Sequence, residues 1–312
     1  MDKEDEDEGR RKVVAASLYN DEFTPASALV RAEFGARSHR GRVQEENDDH
    51  YLVLRLVERA DTLLTSLASG DLPSPFDEHA YAAVVADGIG RAGGGSVAAR
   101  LAISTLAHLA VRFGQWNMRM NPRAAADVME RSEWMYRRTN EAILQRSRAE
   151  AELTGMAATL TGIYSVGTDL FVAHVGHSRC YLFRDGQLVR LTRDHTLEER
   201  RAISPFPVPV GQTIGDINHA LTDVIGATVD GPKAIVEQFR LADDDVLLLC
   251  TNGLTDVVEE DSIANALASR RTQAEQCELL VDRALANGAV DNITVVLANY
   301  HVQRLETDTA RS

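Results

Sequence analysis

Ala82-Ala83-Val84-Val85-Ala86-Asp87-Gly88-Ile89-Gly90 is the stretch on which the reading of this chain turns. Its first five residues form an apolar run with no polar alternation, bounded by a turn pair, and such a run reads as a buried strand. The strand stops on Asp87-Gly88, where the glycine leaves its own carbonyl open to close approach. The same plan recurs three times. Asp48-Asp49 precedes the apolar Tyr51-Leu52-Val53-Leu54, Val246 to Cys250 runs into Asn252-Gly253, and Asp291-Asn292 opens the apolar Ile293 to Ala298. Four strands ending in short acidic or amide turns gather hard oxygen donors at one edge of a sheet. Oxygen-only donors suit Mg²⁺ or Mn²⁺ rather than zinc. Taken singly, each turn is better explained as a good turn former at a strand end.

Working outward, Ala98, Leu101, Ala102, Leu106, Leu109 and Phe113 recur at helical spacing, and a second helical stretch runs from about 122 to 151. Short strands follow over 158–164 and 169–175, then a hairpin of 181–183 with 188–190 through Asp185-Gly186. Residues 194–223, with Pro205, Pro207 and Pro209, read as a mobile excursion, because proline at alternate positions blocks ladder pairing. Residues 261–287 are helical by spacing. Residues 1–31 are expected to be an acidic, polar tail, 32–302 one folded domain, and 303–312 a C-terminal tail.

The chain has 312 residues and a formal net charge of -14, which disfavours an extended nucleic-acid footprint and an anionic membrane surface. Any phosphate site must be local. Cys180, Cys250 and Cys277 show no CxxC spacing, against a disulfide framework or a thiolate zinc site. The acidic start and the lack of an 18-residue apolar run point to a cytoplasmic protein.

Seven words in order carry more than any single turn: Asn47-Asp48-Asp49, Val85 to Gly90, Gly155-Met156-Ala157-Ala158-Thr159-Leu160, Val175-Gly176-His177-Ser178-Arg179, Leu191 to Thr196, Thr251 to Asp256, and Asp291-Asn292-Ile293-Thr294. Together they resemble the successive motifs of metal-dependent serine/threonine phosphatases of the protein phosphatase 2C (PPM) type, over roughly residues 32–300. The resemblance implies an α+β fold, a four-layer α-β-β-α sandwich of two antiparallel sheets. It implies hydrolysis of phosphoserine and phosphothreonine in proteins by a water activated by two Mg²⁺ or Mn²⁺ ions. Asp87 would bridge the ions and the Gly88 carbonyl would add to one. Asp291 and Asn252 would hold the other, with Asp48 and Asp49 acting largely through waters. The implied partner is a phosphoprotein substrate from a serine/threonine kinase pathway.

Three positions depart from that pattern. Asn252 stands where the family's SDG word has aspartate, so one charge is lost and metal binding should weaken. His177 replaces the aspartate of GDSR, which, with Asn252, implies a centre without a third ion. Gln44 replaces the usual phosphate-binding arginine. In the strand expected there, residues two apart face the same way, so Arg42, with Arg40 beyond it, could reach the cleft and contact phosphate, although a solvated basic face explains them as well. Ile89 cannot serve as the acid that some members place after Asp-Gly. An impaired relative, binding phosphoproteins without turnover, is the alternative these departures leave open.

Overall fold

The computed structural model describes residues 26–59, 61, 63–66, 77–91, 93–114, 118, 120–203 and 220–303. Two five-stranded antiparallel sheets lie face to face. One has the order β1 (Val30–His39), β12 (Ile293–Val302), β11 (Val246–Cys250), β8 (Arg179–Arg184), β9 (Gln187–Arg190). The other has the order β10 (Ile235–Arg240), β7 (Asp169–Val175), β6 (Leu160–Val166), β3 (Asp77–Ala86), β2 (His50–Arg59). A short pair, β4 (Gly88–Ile89) with β5 (Ala157–Ala158), extends from the second sheet.

The apolar runs that lacked alternation owe this to burial on both faces. In β11, Leu247 and Leu249 point into the layer between the sheets, meeting Tyr81, Val85 and Val172, while Leu248 and Cys250 point outward. There they meet helices α6 (Glu260–Leu267) and α7 (Gln273–Ala286) through Ile263, Leu280 and Ala284. In β3, Ala83 and Val85 face inward, and Val84 and Ala86 face α2 (Gly94–Phe113) and α3 (Pro122–Ala149). This is the expected helix, sheet, sheet, helix order. Leu248 is fully buried. Leu248→Ala is therefore expected to cost roughly 2–5 kcal/mol, read as a lower urea midpoint with unchanged slope.

Several expectations need correction. Ordered packing starts ahead of residue 32: α1 (Ala26–Leu29) buries Ser27 and Ala28, and β1 begins at Val30. The helical stretch 261–287 is two helices, broken at Thr272, which caps α7 in a reciprocal capping box with Glu275. The 194–223 segment opens with a helix, α4 (Leu197–Ile203), whose Glu199 pairs with Arg190 and Arg193. Its root is fastened by a bridge between Thr196 and Leu221. Its three prolines lie outside the described residues. The 181–190 hairpin turns through Asp185 and Gly186, both at positive φ, as a tight primed turn requires.

Helix α2 is long and apolar enough by composition to cross a membrane. Its buried face, Ala98, Ala99, Ala102 and Ile103, is nevertheless occupied by β-sheet and α3 residues, as in a core helix.

Candidate metal centre

The four turns meet at one edge, and they come from both sheets. Asp49 precedes β2 and Asp87 follows β3 in one sheet, while residue 252 follows β11 and Asp291 precedes β12 in the other. Oxygen donors are thus held between the sheets rather than along one. Asn252-Gly253 forms the first turn of a short helix, α5 (Asn252–Thr255), instead of a β-turn.

Side chains that carry no donor role in the sequence reading hold the turns together. Thr251 donates to Asp49 Oδ2 at 2.7 Å and accepts from the Thr294 backbone N–H at 2.9 Å, tying the two sheets at the cleft. The Asn292 amide accepts from the Asp48 N–H at 2.7 Å and donates to the carbonyls of Arg40 and Glu46. One side chain therefore fixes the whole 40–48 loop against Asp291. Thr159 accepts from the Asp87 N–H and bonds Ser178, and its own N–H donates to the Asp87 carbonyl. These threonines and Asn292 lie inside the words already quoted, but a hydroxyl or amide beside a carboxylate gives no signal of its own.

Two close backbone approaches depend on glycine. A Cβ on Gly88 would lie 2.1 Å from the Gly95 carbonyl oxygen, and one on Gly253 would lie 2.0 Å from that of Asn292. Gly253→Ala must therefore push α5 away from β12 and separate Asn252 from Asp291. It is expected to cost roughly 1–3 kcal/mol and to abolish the rise in melting temperature that Mn²⁺ gives the native chain.

The electrostatics are those of a site built for cations. Asp48, Asp49 and Asp291 all act on Asp87, and so does Asp256, which the sequence reading passed over. Burial, reinforced by these neighbours, holds the Asp87 carboxyl well above the ordinary carboxylate range. Burial likewise raises Asp49 to about 7, opposed by the Thr251 hydrogen bond. Like charges in a buried cleft repel, because the low dielectric screens them poorly. Protons or cations must neutralise the cleft. Asp48 Oδ1, Asp49 Oδ1 and Asn252 Oδ1 are buried without hydrogen-bond partners, which marks them as oxygens awaiting an electrophile. All are hard donors, so the residues present fit Mg²⁺ or Mn²⁺. Asp48 also serves structure, since a backbone hydrogen bond from Ser96 joins its carboxylate to the N-terminal turn of α2.

His177 stands at the same edge, its Nδ1 3.8 Å from Asp87 Oδ2 and buried without a partner. Burial holds its pKa below the ordinary histidine value, against the pull of Asp256 and Asp194. His195 packs edge-on to His174 at 5.0 Å, a structural role. Arg179 grips Asp194 through two guanidinium nitrogens, as a turn organiser.

Arg42 is the exception to the expected assembly. Residues 40–43 turn after β1 ends at His39, so the strand register that would aim Arg42 alongside Gln44 does not exist. Arg42 is exposed, and its N–H bonds the Ala289 carbonyl, which places the turn at the rim next to Asp291.

This architecture puts a set of hard oxygen donors in a cleft between two antiparallel sheets, and comparison with known proteins shows the family to which such a chain belongs. A family model described as Protein phosphatase 2C matches residues 74–288, and the chain belongs to that family. It is 32% identical over 279 residues to the serine/threonine protein phosphatase PstP of Mycobacterium tuberculosis, covering 88% of this chain but only 46% of that protein. The chain thus spans about half the length of that relative. The serine/threonine phosphatase stp of Listeria monocytogenes is 27% identical over 274 residues, covering 86% of this chain and 95% of that one. The crystal structure of the PstP catalytic domain in complex with two manganese ions superposes with a TM-score of 0.65 at 27% identity, covering 87% and 99%.

Proposed function

We propose that this chain hydrolyses phosphoserine and phosphothreonine in proteins, using two Mg²⁺ or Mn²⁺ ions held by Asp87, the Gly88 carbonyl, Asp291 and Asn252, with Asp48 and Asp49 in support. The observation that carries this reading is the set of unpartnered, buried oxygens of Asp48, Asp49 and Asn252 around the raised Asp87 carboxyl. When bound, the ions supply an acidified water and neutralise charge that develops on the transferring phosphoryl group. The protein's own part is to fix the donors: Thr251 orients Asp49, Thr159 fixes the Asp87 backbone, and Asn292 holds the loop bearing Asp48.

A covalent cysteinyl intermediate is not available to this fold. Cys180, Cys250 and Cys277 are buried, and burial pushes the Cys250 and Cys277 thiols up to about 12. A phosphate contact by Arg42 would in this reading come from the exposed rim turn rather than from strand register. Ile89 offers no proton, so protonation of the leaving alkoxide falls to water or to another group at the cleft. A phosphoprotein made by a serine/threonine kinase is the partner of this chemistry, and a cytoplasmic location fits three free thiols. The relatives named as phosphatases support turnover over a binding-only role.

The test is hydrolysis of a phosphothreonine peptide across a Mn²⁺ and a Mg²⁺ titration. Native protein is expected to turn over, and Asn252→Asp to reach half-maximal rate at about tenfold lower metal, because a neutral ligand becomes charged. Folded native protein that releases no phosphate at saturating metal sinks the proposal and leaves a phosphoprotein-binding module.

A further inference from the structure

We propose that Asp256 is a positioning residue for Asn252, holding the amide so that its oxygen faces the cation cleft; this rests on the metal-centre reading above. An asparagine in a cation site has a weakness that an aspartate lacks. Its two ends are chemically opposite, and a half-turn about the last side-chain bond exchanges an acceptor for two donors. The wrong half-turn presents N–H groups to a cation. With aspartate at 252 both ends are oxygens and the question does not arise.

The chain answers it one helical turn on. The Asp256 N–H donates to the Asn252 carbonyl at 2.8 Å, closing α5 and bringing the two side chains to the same side. Asn252 Nδ2 then donates to Asp256 Oδ2 at 3.0 Å. An ionised carboxylate can only accept, so this contact admits the amide nitrogen and refuses the amide oxygen. The opposite end of the amide, Oδ1, is buried and has no partner, while Asp256 itself is exposed. A surface carboxylate thus grips the outer end of the amide and leaves the inner end as a ligand. Asp256 also acts electrostatically on Asp87 and His177, so it belongs to the cleft and returns part of the charge that residue 252 lacks.

Two substitutions separate orientation from charge. Asp256→Asn removes the charge but still offers an oxygen to Asn252 Nδ2. Asp256→Ala removes both. Calorimetric titration of the full, chelator-stripped chain with Mn²⁺ alone reads the difference. In the native background, Asp256→Asn is expected to weaken Mn²⁺ binding about threefold and Asp256→Ala about tenfold or more, as fits a charge-assisted hydrogen bond. In the Asn252→Asp background the two substitutions should agree within about twofold, because nothing is left to orient. Equal losses for the two substitutions in the native background overturn the proposal and leave Asp256 as a charge only. A gap that persists in the Asn252→Asp background overturns it too. If the native chain binds no Mn²⁺, the metal-centre reading fails and takes this proposal with it, an outcome distinct from the other two. Circular dichroism of each variant confirms that this exposed position leaves the fold intact.

Discussion

Asp87→Asn is expected to lower phosphothreonine peptide hydrolysis at saturating Mn²⁺ by at least about a thousandfold, while leaving the metal-free fold as stable as before or more so. The two effects come from one cause. Asp87 is buried, and Asp49, Asp291, Asp48 and Asp256 surround it with like charge. In the absence of cations, ionised Asp87 opposes folding, since a buried charge among like charges has neither water nor a counterion. An amide of the same shape removes that cost and keeps the backbone bonds to Thr159. A gain of ~1 kcal/mol in the metal-free protein is the scale expected when strain at a functional site is relieved. With the carboxylate gone, the side chain on which the other acidic groups act brings no charge to the cleft, where in the proposed reading it would hold the cations. Activity within tenfold of native would remove Asp87 from the centre. Clear destabilisation of the metal-free variant would instead mean that the carboxylate is a structural group, which its environment argues against.

The legible and illegible parts of this molecule divide along physical lines. β3 and β11 were readable because burial on both faces leaves unbroken apolar runs, and α2 and α3 because their apolar residues keep a helical period. The edge strand β10 gave no such signal, with only Val236 and Phe239 part-buried among exposed neighbours. Asn252-Gly253 read as a turn because its sequence permits one, and tertiary contact decided for a helix: a glycine wedged against the Asn292 carbonyl starts α5 there. The carboxylates of the centre stood out because aspartate at a buried strand end needs a reason. Thr251, Thr159 and Asn292 did not, since their roles are set by partners 43, 72 and 244 residues away. Arg42 shows the converse, where a register argument failed because the strand stops at His39.

The stabilisation that Mn²⁺ gives this protein is expected to grow as pH rises from about 5 to 7, by about tenfold in affinity per pH unit for each proton displaced. Asp49 has a folded pKa of about 7 against an unfolded value of 3.8. A carboxyl raised in this way holds its proton in the native state after the unfolded chain has released it. Its contribution to metal-free stability is therefore fully present below the unfolded value and is lost as pH climbs through the folded one. Asp87, shifted in the same direction by burial, adds to the trend. A cation must displace these protons, so binding tightens until they have left of their own accord. The melting temperature of metal-free protein alone does not reveal this, because His174 works against it. Burial depresses His174 to about 3, so its contribution is present above the unfolded histidine value near 6.5 and is lost as pH falls. His174 spends its ring nitrogens on Thr161 and the Arg193 carbonyl rather than on the cleft, so its titration is expected to be the same with and without cations. The difference in melting temperature between chelated and Mn²⁺-saturated protein cancels it and leaves the carboxylates. Titration calorimetry in buffers of unequal ionisation enthalpy should count at least one proton released per protein at about pH 6, with the Asp49 share falling as pH rises through about 7. A metal-induced shift that is flat across this range, with no protons released, would mean that Asp49 and Asp87 are already ionised in the empty cleft, and that the carboxylates acting on Asp87 are neutralised by something other than their own protons.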